Sequence, residues 1–267
     1  MKRTVAFLDV LGFRKMVETE SADSLGKRYE LVNDRLEETN KPLGDSFKSL
    51  PSFFPDFLSS DEYCIKQIFS DSIILTSIDE TEQKCLALII YALRTIQHML
   101  MYGMSVRGGI VHDEIYLNIN KKIVVGKALT RSYDLELLQN WIGTAIDNSV
   151  IEAFPNLFNG KGPRPEILEN LFPIYEVPMK SGPNQKLHTL NWRWNLFIDT
   201  GTCSLFEESK DLCVQEKINA ALKYAKYIRE TNKAYPTDEE TTPVEVRKIY
   251  RVFGPPDSEI PTHGDEF

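Results

Sequence analysis

Two aspartates in this sequence lie where their neighbours predict apolar strands, and together they could hold a metal ion. Asp9 interrupts an apolar, β-forming run at residues 4–13, which predicts a buried strand that ends in a turn at Gly12. A carboxylate in such a strand is costly unless it is paired, hydrogen-bonded or bound to a metal. Asp71 lies in a Ser-Asp-Ser tripeptide between two apolar runs within residues 65–78, which predict a hairpin with an acidic tip.

If the hairpin lies beside the first strand, both carboxylates reach the same end of one sheet. Two close carboxylates repel each other, and a divalent cation relieves that repulsion. The backbone N–H groups of Leu11, Gly12 and Phe13 follow Asp9 and could cradle a phosphate at the start of the next helix. This combination suits a nucleoside triphosphate, although an aspartate such as Asp71 more commonly just caps its turn.

The elements that must position these residues follow from hydrophobic periodicity. A loop is predicted at residues 40–61, where prolines and serines break the helical pattern. Helices are predicted at 15–38, 81–102, 129–138 and 212–232, and further strands at 104–116, 123–129, 141–147, 174–180 and 187–196. This order predicts an α+β sandwich with helices on a mainly antiparallel sheet.

Composition excludes several classes of protein. The chain has 267 residues and a net charge of -8, which argues against a general nucleic-acid binder but not against a single phosphate-bearing ligand. Four cysteines without CxxC spacing predict reduced thiols. The longest apolar run, at residues 85–93, is too short to span a membrane, and the apolar stretch before Asp9 is too short for a signal peptide. We expect a soluble, cytoplasmic protein.

Four motifs, in this order, carry a family resemblance: FLDVLGF, FSDSI, VRGGIVHDEIY and VVGKALTRSYDLE, within roughly residues 4–147. The set resembles the class III nucleotidyl cyclase catalytic domain, a ferredoxin-like sandwich. It is most similar to the pyrimidine cyclases, the uridylate and cytidylate cyclases, of bacterial Pycsar antiphage systems. Those proteins carry a similar C-terminal extension, so the resemblance implies a catalytic domain at 1–150 and an α/β extension at 151–267 packed on it.

The resemblance implies a reaction and a site. The ribose 3′-hydroxyl would attack the α-phosphate of a nucleoside triphosphate, and pyrophosphate would leave, with two divalent metal ions (Mn²⁺ or Mg²⁺) assisting. The metal ligands map onto Asp9, the backbone carbonyl of Val10, and Asp71. Residues 11–13 would face the triphosphate. The family site forms between protomers, which implies a head-to-tail homodimer with two equivalent sites.

Two departures from the purine cyclases concern base choice and charge. The position that reads a purine base holds Gln67, beside Lys66, and either could read a pyrimidine, although strand alternation places them on opposite faces.

The positions of the family's transition-state asparagine and arginine hold Thr130 and Asp134. The cation must then be Arg107, Lys127 or Arg131, while Thr130 could bind ribose or phosphate. For Arg107, a structural salt bridge to an acidic neighbour is an equal alternative.

Several functions therefore stay open at this stage. The leading hypothesis is a uridylate cyclase that makes cyclic UMP as the signal of an antiphage system. Alternatives are a cytidylate cyclase, a purine cyclase, and a cyclase-like dimer that binds nucleotide without turning it over. A haloacid-dehalogenase-type phosphatase is disfavoured, because Leu11 lies where that family needs a second aspartate.

Overall fold

Most strands join one largely antiparallel sheet in the computed structural model, which describes residues 1–40, 64–121, 123–161, 165–193 and 211–231. Within these ranges the strands are β1 (Lys2–Val10), β2 (Cys64–Phe69), β3 (Ser72–Ser77), β4 (Val106–Glu114), β5 (Tyr116–Asn118), β6 (Ile123–Val125), β7 (Gly143–Ile146), β8 (Ile174–Val177) and β9 (Gln185–Thr189). The large sheet has the order β2-β3-β1-β4-β7-β9-β8, and β5 pairs with β6 in a small ribbon. Only the β4–β7 pair is parallel among these strands.

Helices lie between and after the strands. In the same described ranges they are α1 (Phe13–Thr19), α2 (Ala22–Asn40), α3 (Glu82–Met101), α4 (Lys127–Leu138), α5 (Asn148–Ala153), α6 (Pro165–Leu171) and α7 (Leu212–Thr231), with a 3₁₀ turn at Pro155–Leu157. The first four strands and their helices follow the ferredoxin-like order β-α-β-β-α-β. The predicted α+β class with a mainly antiparallel sheet is therefore confirmed. None of the described helices is long and apolar enough to cross a bilayer.

The structure corrects the bounds of several predicted elements. The strands predicted at 174–180 and 187–196 are observed at Ile174–Val177 and Gln185–Thr189. The predicted helix at 15–38 is two helices, because the chain extends at Glu20 and the Ser21 hydroxyl then accepts the Ser24 N–H at 3.1 Å to start α2. The predicted strand at 104–116 divides into β4 and β5. The predicted strand at 123–129 ends at Val125, after which α4 begins.

Some predictions fall outside the described residues: the loop beyond Asn40, the last residues of the strand predicted at 187–196, one of the four cysteines (Cys203), and the part of the extension beyond residue 231. The domain boundary near residue 150 stays a prediction. Strands β8 and β9 come after this boundary, and β9 pairs with β7, which comes before it, as well as with β8. The same sheet therefore includes strands from both sides of the predicted boundary.

The two faces of β1 pack against different helices. Alternate residues Ala6, Leu8 and Val10 join the main core, which includes apolar residues of α2 and α3. On the opposite face, the rings of Phe7 and Tyr133 of α4 lie 5.3 Å apart, edge to face. Because side chains alternate along a strand, Asp9 lies on the same face as Phe7, towards α4.

Glycines after Arg107 allow α4 to lie directly on β4. A Cβ atom added at Gly109 would lie 2.5 Å from the backbone oxygen of Ser132 in α4, which no real Cβ tolerates. The close backbone approach expected of these glycines is confirmed. It brings the C-terminal turn of α4, with Glu136, beside Arg107 and so beneath Asp9.

Candidate active site

Asp9 and Asp71 lie together at one end of the sheet. Strands β1 and β3 pair with Asp9 opposite Ser72, and the Val10 N–H donates to the backbone oxygen of Asp71 at 2.9 Å. The hairpin tip turns through Ser70, whose φ of 56° is left-handed, and the Tyr29 hydroxyl donates to the Ser70 carbonyl oxygen at 3.1 Å. Backbone bonds therefore hold the two acidic residues side by side.

The Asp9 carboxyl is electrostatically under-compensated. Burial, then the negative charges of Glu136 and Asp71, raise its pKa to about 6, against the opposing effect of Arg107 and Lys180. Burial and the same two aspartates raise the pKa of the Tyr29 hydroxyl to about 12. Negative charge is therefore unfavourable here, and added positive charge would be stabilising.

These donors fit a hard divalent cation. Two carboxylates offer the oxygen ligands that Mg²⁺ and Mn²⁺ prefer, and the raised pKa of Asp9 shows that its ionised form is disfavoured there, a penalty that a bound cation would relieve. Within the described ranges no group of three or more His, Cys, Asp or Glu residues forms a metal site. A bound ion would therefore also need ligands from backbone, water or substrate, as the predicted use of the Val10 carbonyl implies.

Arg107 is buried beneath Asp9 rather than free. The register places it directly opposite Asp9, and its guanidinium makes a salt bridge with Glu136, which is 2% exposed. It also donates to the backbone oxygen of Gln139 at 3.0 Å. The Gln139 side chain in turn accepts from the indole N–H of Trp141 at 2.7 Å. Of the two interpretations of Arg107, the structural salt bridge is the one present.

Lys180 is a cation near this site that the sequence did not indicate. Its backbone N–H donates to the Leu138 oxygen at 2.8 Å, at the end of α4, and its charge interacts with those of Asp9, Glu136 and Arg107. Burial lowers its pKa, and the neighbouring arginine adds to that effect. Lys180 lies far along the chain from Asp9, in a polar turn, so no local pattern could have identified it.

The charged ends of Lys127 and Arg131 point towards the other end of the sheet, and Thr130 makes no contact with Asp9. Lys127 pairs with Glu114 at 2.9 Å, and Arg131 pairs with Asp113 at 2.6 Å and with a second carboxylate. Glu114 and Asp113 pair with the first residues of β1, about seven residues or about 23 Å of strand from Asp9. The exposed Thr130 hydroxyl donates to the Gly126 oxygen at 3.4 Å. Within one chain these three residues do not meet Asp9.

Lys66 and Gln67 lie on opposite faces, as strand alternation predicted. The Lys66 ammonium donates to Asn33 of α2 and to the Tyr91 hydroxyl of α3, so it faces the helical layer. Gln67 pairs across the sheet with Ile74, which in turn pairs with Phe7. Residues directly opposite one another share a face, so Gln67 lies on the same face as Asp9.

The predicted phosphate cradle is smaller than expected. The Leu11 N–H donates to the Ser105 oxygen at 2.8 Å, so it is already used within the protein. Gly12 has a left-handed φ of 78° and leads into α1 at Phe13, which explains the glycine there. Roles for Gly12 and Phe13 in binding phosphate stay predictions.

The raised pKa of Asp9 predicts a measurable pH dependence. Because the folded state holds this proton more tightly than the unfolded chain, the free energy of unfolding should fall as the pH rises from about 4 to about 6. Carboxyl ¹³C NMR should show Asp9 titrating near 6, and Mg²⁺ should lower that midpoint. Asp71→Asn should also lower it, because a negative charge is removed. A midpoint near 4 that Mg²⁺ leaves unchanged would contradict this account.

Comparisons with known proteins give structural matches only. Scans of protein-family models and of curated proteins found no match. The catalytic core of a rhodopsin-guanylyl cyclase with converted specificity, in complex with ATPalphaS, matches with a TM-score of 0.45 and 12% identity over 71% of this chain and 94% of that one. The adenylyl cyclase CyaB from P. aeruginosa matches at 0.43 and 14% identity over the same shares. A bacterial light-regulated adenylyl cyclase matches at 0.36 and 14% identity, over 57% and 44%.

Proposed function

We propose that this protein is a metal-dependent nucleotidyl cyclase that converts UTP to 3′,5′-cyclic UMP and pyrophosphate. The observation that carries the proposal is the pair Asp9 and Asp71, held side by side at the end of the sheet with an under-compensated charge. An antiphage signalling role and a cytoplasmic location belong to the proposal too, and both depend on the sequence resemblance.

The residues of this chain divide the chemistry between them. Asp9 and Asp71 would hold two Mg²⁺ or Mn²⁺ ions, which when bound neutralise the triphosphate and favour ionisation of the ribose hydroxyl. The new bond joins the 3′-oxygen to the α-phosphorus, and the bond from that phosphorus to pyrophosphate breaks. Lys180 would add positive charge near the phosphates. Asp134, which lies at the position of the family's transition-state arginine, cannot do so because it is negatively charged. Arg107 would act by holding Glu136 in place beneath Asp9.

Gln67 is the better candidate for base selection. The Lys66 ammonium donates to the Tyr91 hydroxyl in the helical layer, whereas Gln67 lies on the face that carries Asp9. An amide can both donate and accept, which matches the mixed edge of uracil or of cytosine. The resemblance is to uridylate and cytidylate cyclases alike, so CTP is the alternative substrate in this proposal.

A homodimer is part of the same proposal. Lys127 and Arg131 pair with Glu114 and Asp113, which lie opposite Lys2 and Arg3, seven and six strand residues from Asp9. One chain therefore does not bring the set Lys127, Thr130 and Arg131 and the set Asp9 and Asp71 to one substrate. Two chains arranged head to tail would place one set from each protomer at each of two equivalent sites, as the resemblance implies.

A non-catalytic nucleotide-binding dimer is the second candidate function. The observation that favours it is that the charges of Arg107, Lys127 and Arg131 are already paired with carboxylates. A protein that only binds nucleotide would need no cation free to stabilise a transition state.

The test incubates the purified protein separately with UTP, CTP, ATP and GTP in the presence of Mn²⁺ and separates the products by chromatography. We expect cyclic UMP as the main product, and no product once EDTA removes the metal. Cyclic AMP or cyclic GMP as the main product would contradict the pyrimidine assignment. Nucleotide binding without any cyclic product would favour the second candidate.

A further inference from the structure

A cavity of about 410 Å³ lies between α7 and the β8–β9 edge of the sheet. Its other walls come from the 3₁₀ turn and from α6, and none of its lining residues belongs to the candidate active site. The volume lies in the range of small-molecule sites, about 300–1,000 Å³. The substrate chemistry proposed above leaves this cavity without a use.

Flat aromatic surfaces form one side of the cavity. The ring of Phe158 lies 5.4 Å from the ring of Phe172 and 4.9 Å from the ring of His188, centroid to centroid. Ile174 and Ile228 add aliphatic surface. A planar apolar ligand would be packed on such walls by ring contacts and by burial.

Three of the side chains that line the cavity offer hydrogen-bond acceptors, and Asn170 adds an amide that can also donate. The Nδ1–H of His188 donates to the Phe172 oxygen at 2.7 Å, which leaves Nε2 as an acceptor with no hydrogen bond among the described residues. Burial lowers the pKa of His188, so the ring is neutral at neutral pH. The Glu169 carboxylate reaches over Gly160, since a Cβ there would lie 3.4 Å from its Oε1. The Tyr227 hydroxyl donates its hydrogen to the Ile174 backbone oxygen at 2.7 Å, so towards the cavity it can act only as an acceptor.

We propose that this cavity is an effector site for a small, flat ligand that presents N–H donors, such as an amidine or an amino-substituted heteroaromatic ring. The donors would meet His188 Nε2 and the Glu169 carboxylate, while the ring packs on Phe158. The effector role rests on the proposed function, whereas binding of the ligand does not.

Two elements connect the cavity with the candidate active site. Ile174 begins β8 at the cavity, and the chain leaving β8 reaches Lys180 beside Asp9. Helix α7 carries Ile228 at the cavity and, nearer its start, Lys217, whose charge lowers the pKa of Lys180. A ligand that moves β8 would therefore change the position of Lys180, and one that moves α7 would change the charge that surrounds it.

The test titrates the ¹⁵N-labelled full chain with benzamidine and with benzoate, two flat probes that differ in donor and acceptor character. We expect benzamidine to shift the amide signals of Phe158, Phe172 and His188, and also that of Lys180, while benzoate binds at least about tenfold more weakly. This readout does not depend on cyclase activity.

Matched variants locate the site. Thr231→Trp places a large ring at the cavity mouth and should weaken benzamidine binding at least about tenfold, whereas Lys226→Trp, exposed on the same helix outside the cavity, should leave it within about twofold. Glu169→Gln should reduce the preference for benzamidine without added bulk.

Three outcomes would overturn the proposal. They are no localised shifts with either probe, equal or tighter binding of benzoate, and an equal effect of the two tryptophan variants. Localised benzamidine binding without a shift at Lys180 would overturn the effector role. None of these results depends on whether the protein makes cyclic UMP, so the two proposals can fail separately.

Discussion

Replacing Asp9 or Asp71 with asparagine should reduce cyclic nucleotide formation at least about a thousandfold, because each change removes a carboxylate that holds the proposed metal ions. An amide is a neutral and weaker ligand for Mg²⁺ or Mn²⁺ than a carboxylate. The measurement is the initial rate of cyclic UMP formation from UTP with Mn²⁺. Near-normal rates in either variant would contradict the proposed metal site.

A stability measurement separates this effect from misfolding. Above pH 6 the Asp9 carboxylate is ionised while partly buried beside Glu136 and Asp71, so Asp9→Asn should leave the free energy of unfolding unchanged or higher. Urea unfolding at pH 8 measures it. Asp23→Asn, on the exposed part of α2, is the matched control; it should leave activity unchanged and lower the free energy of unfolding by at most about 1 kcal/mol, because it loses only an exposed ion pair with Lys27.

Replacing Glu136 with alanine should destabilise the protein by about 3–5 kcal/mol, because the buried Arg107 guanidinium would lose its only salt-bridge partner among the described residues. Urea unfolding at neutral pH gives the difference. A smaller effect is expected for Glu136→Gln, which retains a hydrogen-bond acceptor for Arg107. Both variants should lower the pKa of Asp9, since each removes the negative charge that raises it most.

The matched control for this prediction is Glu114→Ala. It breaks the ion pair between Glu114 and Lys127, whose side chains are 61% and 68% exposed, respectively, so water solvates both charges. Its free energy of unfolding should stay close to that of the unchanged protein. Equal effects of the alanine changes at Glu136 and Glu114 would show that the buried pair contributes no more than a surface pair.

The parts of the fold that sequence reasoning found are those with local signals. The apolar run around Asp9, the two runs that flank Asp71 and the helical spacing of α3 each predict an element within a few residues of its observed bounds. Strand alternation was enough to place Lys66 and Gln67 on opposite faces. The errors occur at junctions such as Ser21, where one hydroxyl cap divides a helix that periodicity predicts as continuous.

Contacts between distant parts of the chain could not be predicted in this way. The acidic partner of Arg107 was unknown from sequence, and it is Glu136, brought near by the packing of α4 on Gly109. The sequence alone leaves the Leu11 N–H available for phosphate, whereas in the structure it donates to the Ser105 oxygen. No local sequence pattern indicates that Lys180 lies near the candidate active site.

The sequence by itself determined that two carboxylates interrupt apolar strands and that the fold is α+β, because periodicity and turn chemistry act over a few residues. Tertiary structure alone decided which charges are free to act. Arg107, Lys127 and Arg131 are equivalent cations in the sequence, yet one is buried against Glu136 and two pair with carboxylates towards the far end of the sheet, while Lys180 lies near enough to Asp9 for their charges to interact. Coulombic interactions depend on distance and burial, and those are set by how the helices and strands pack.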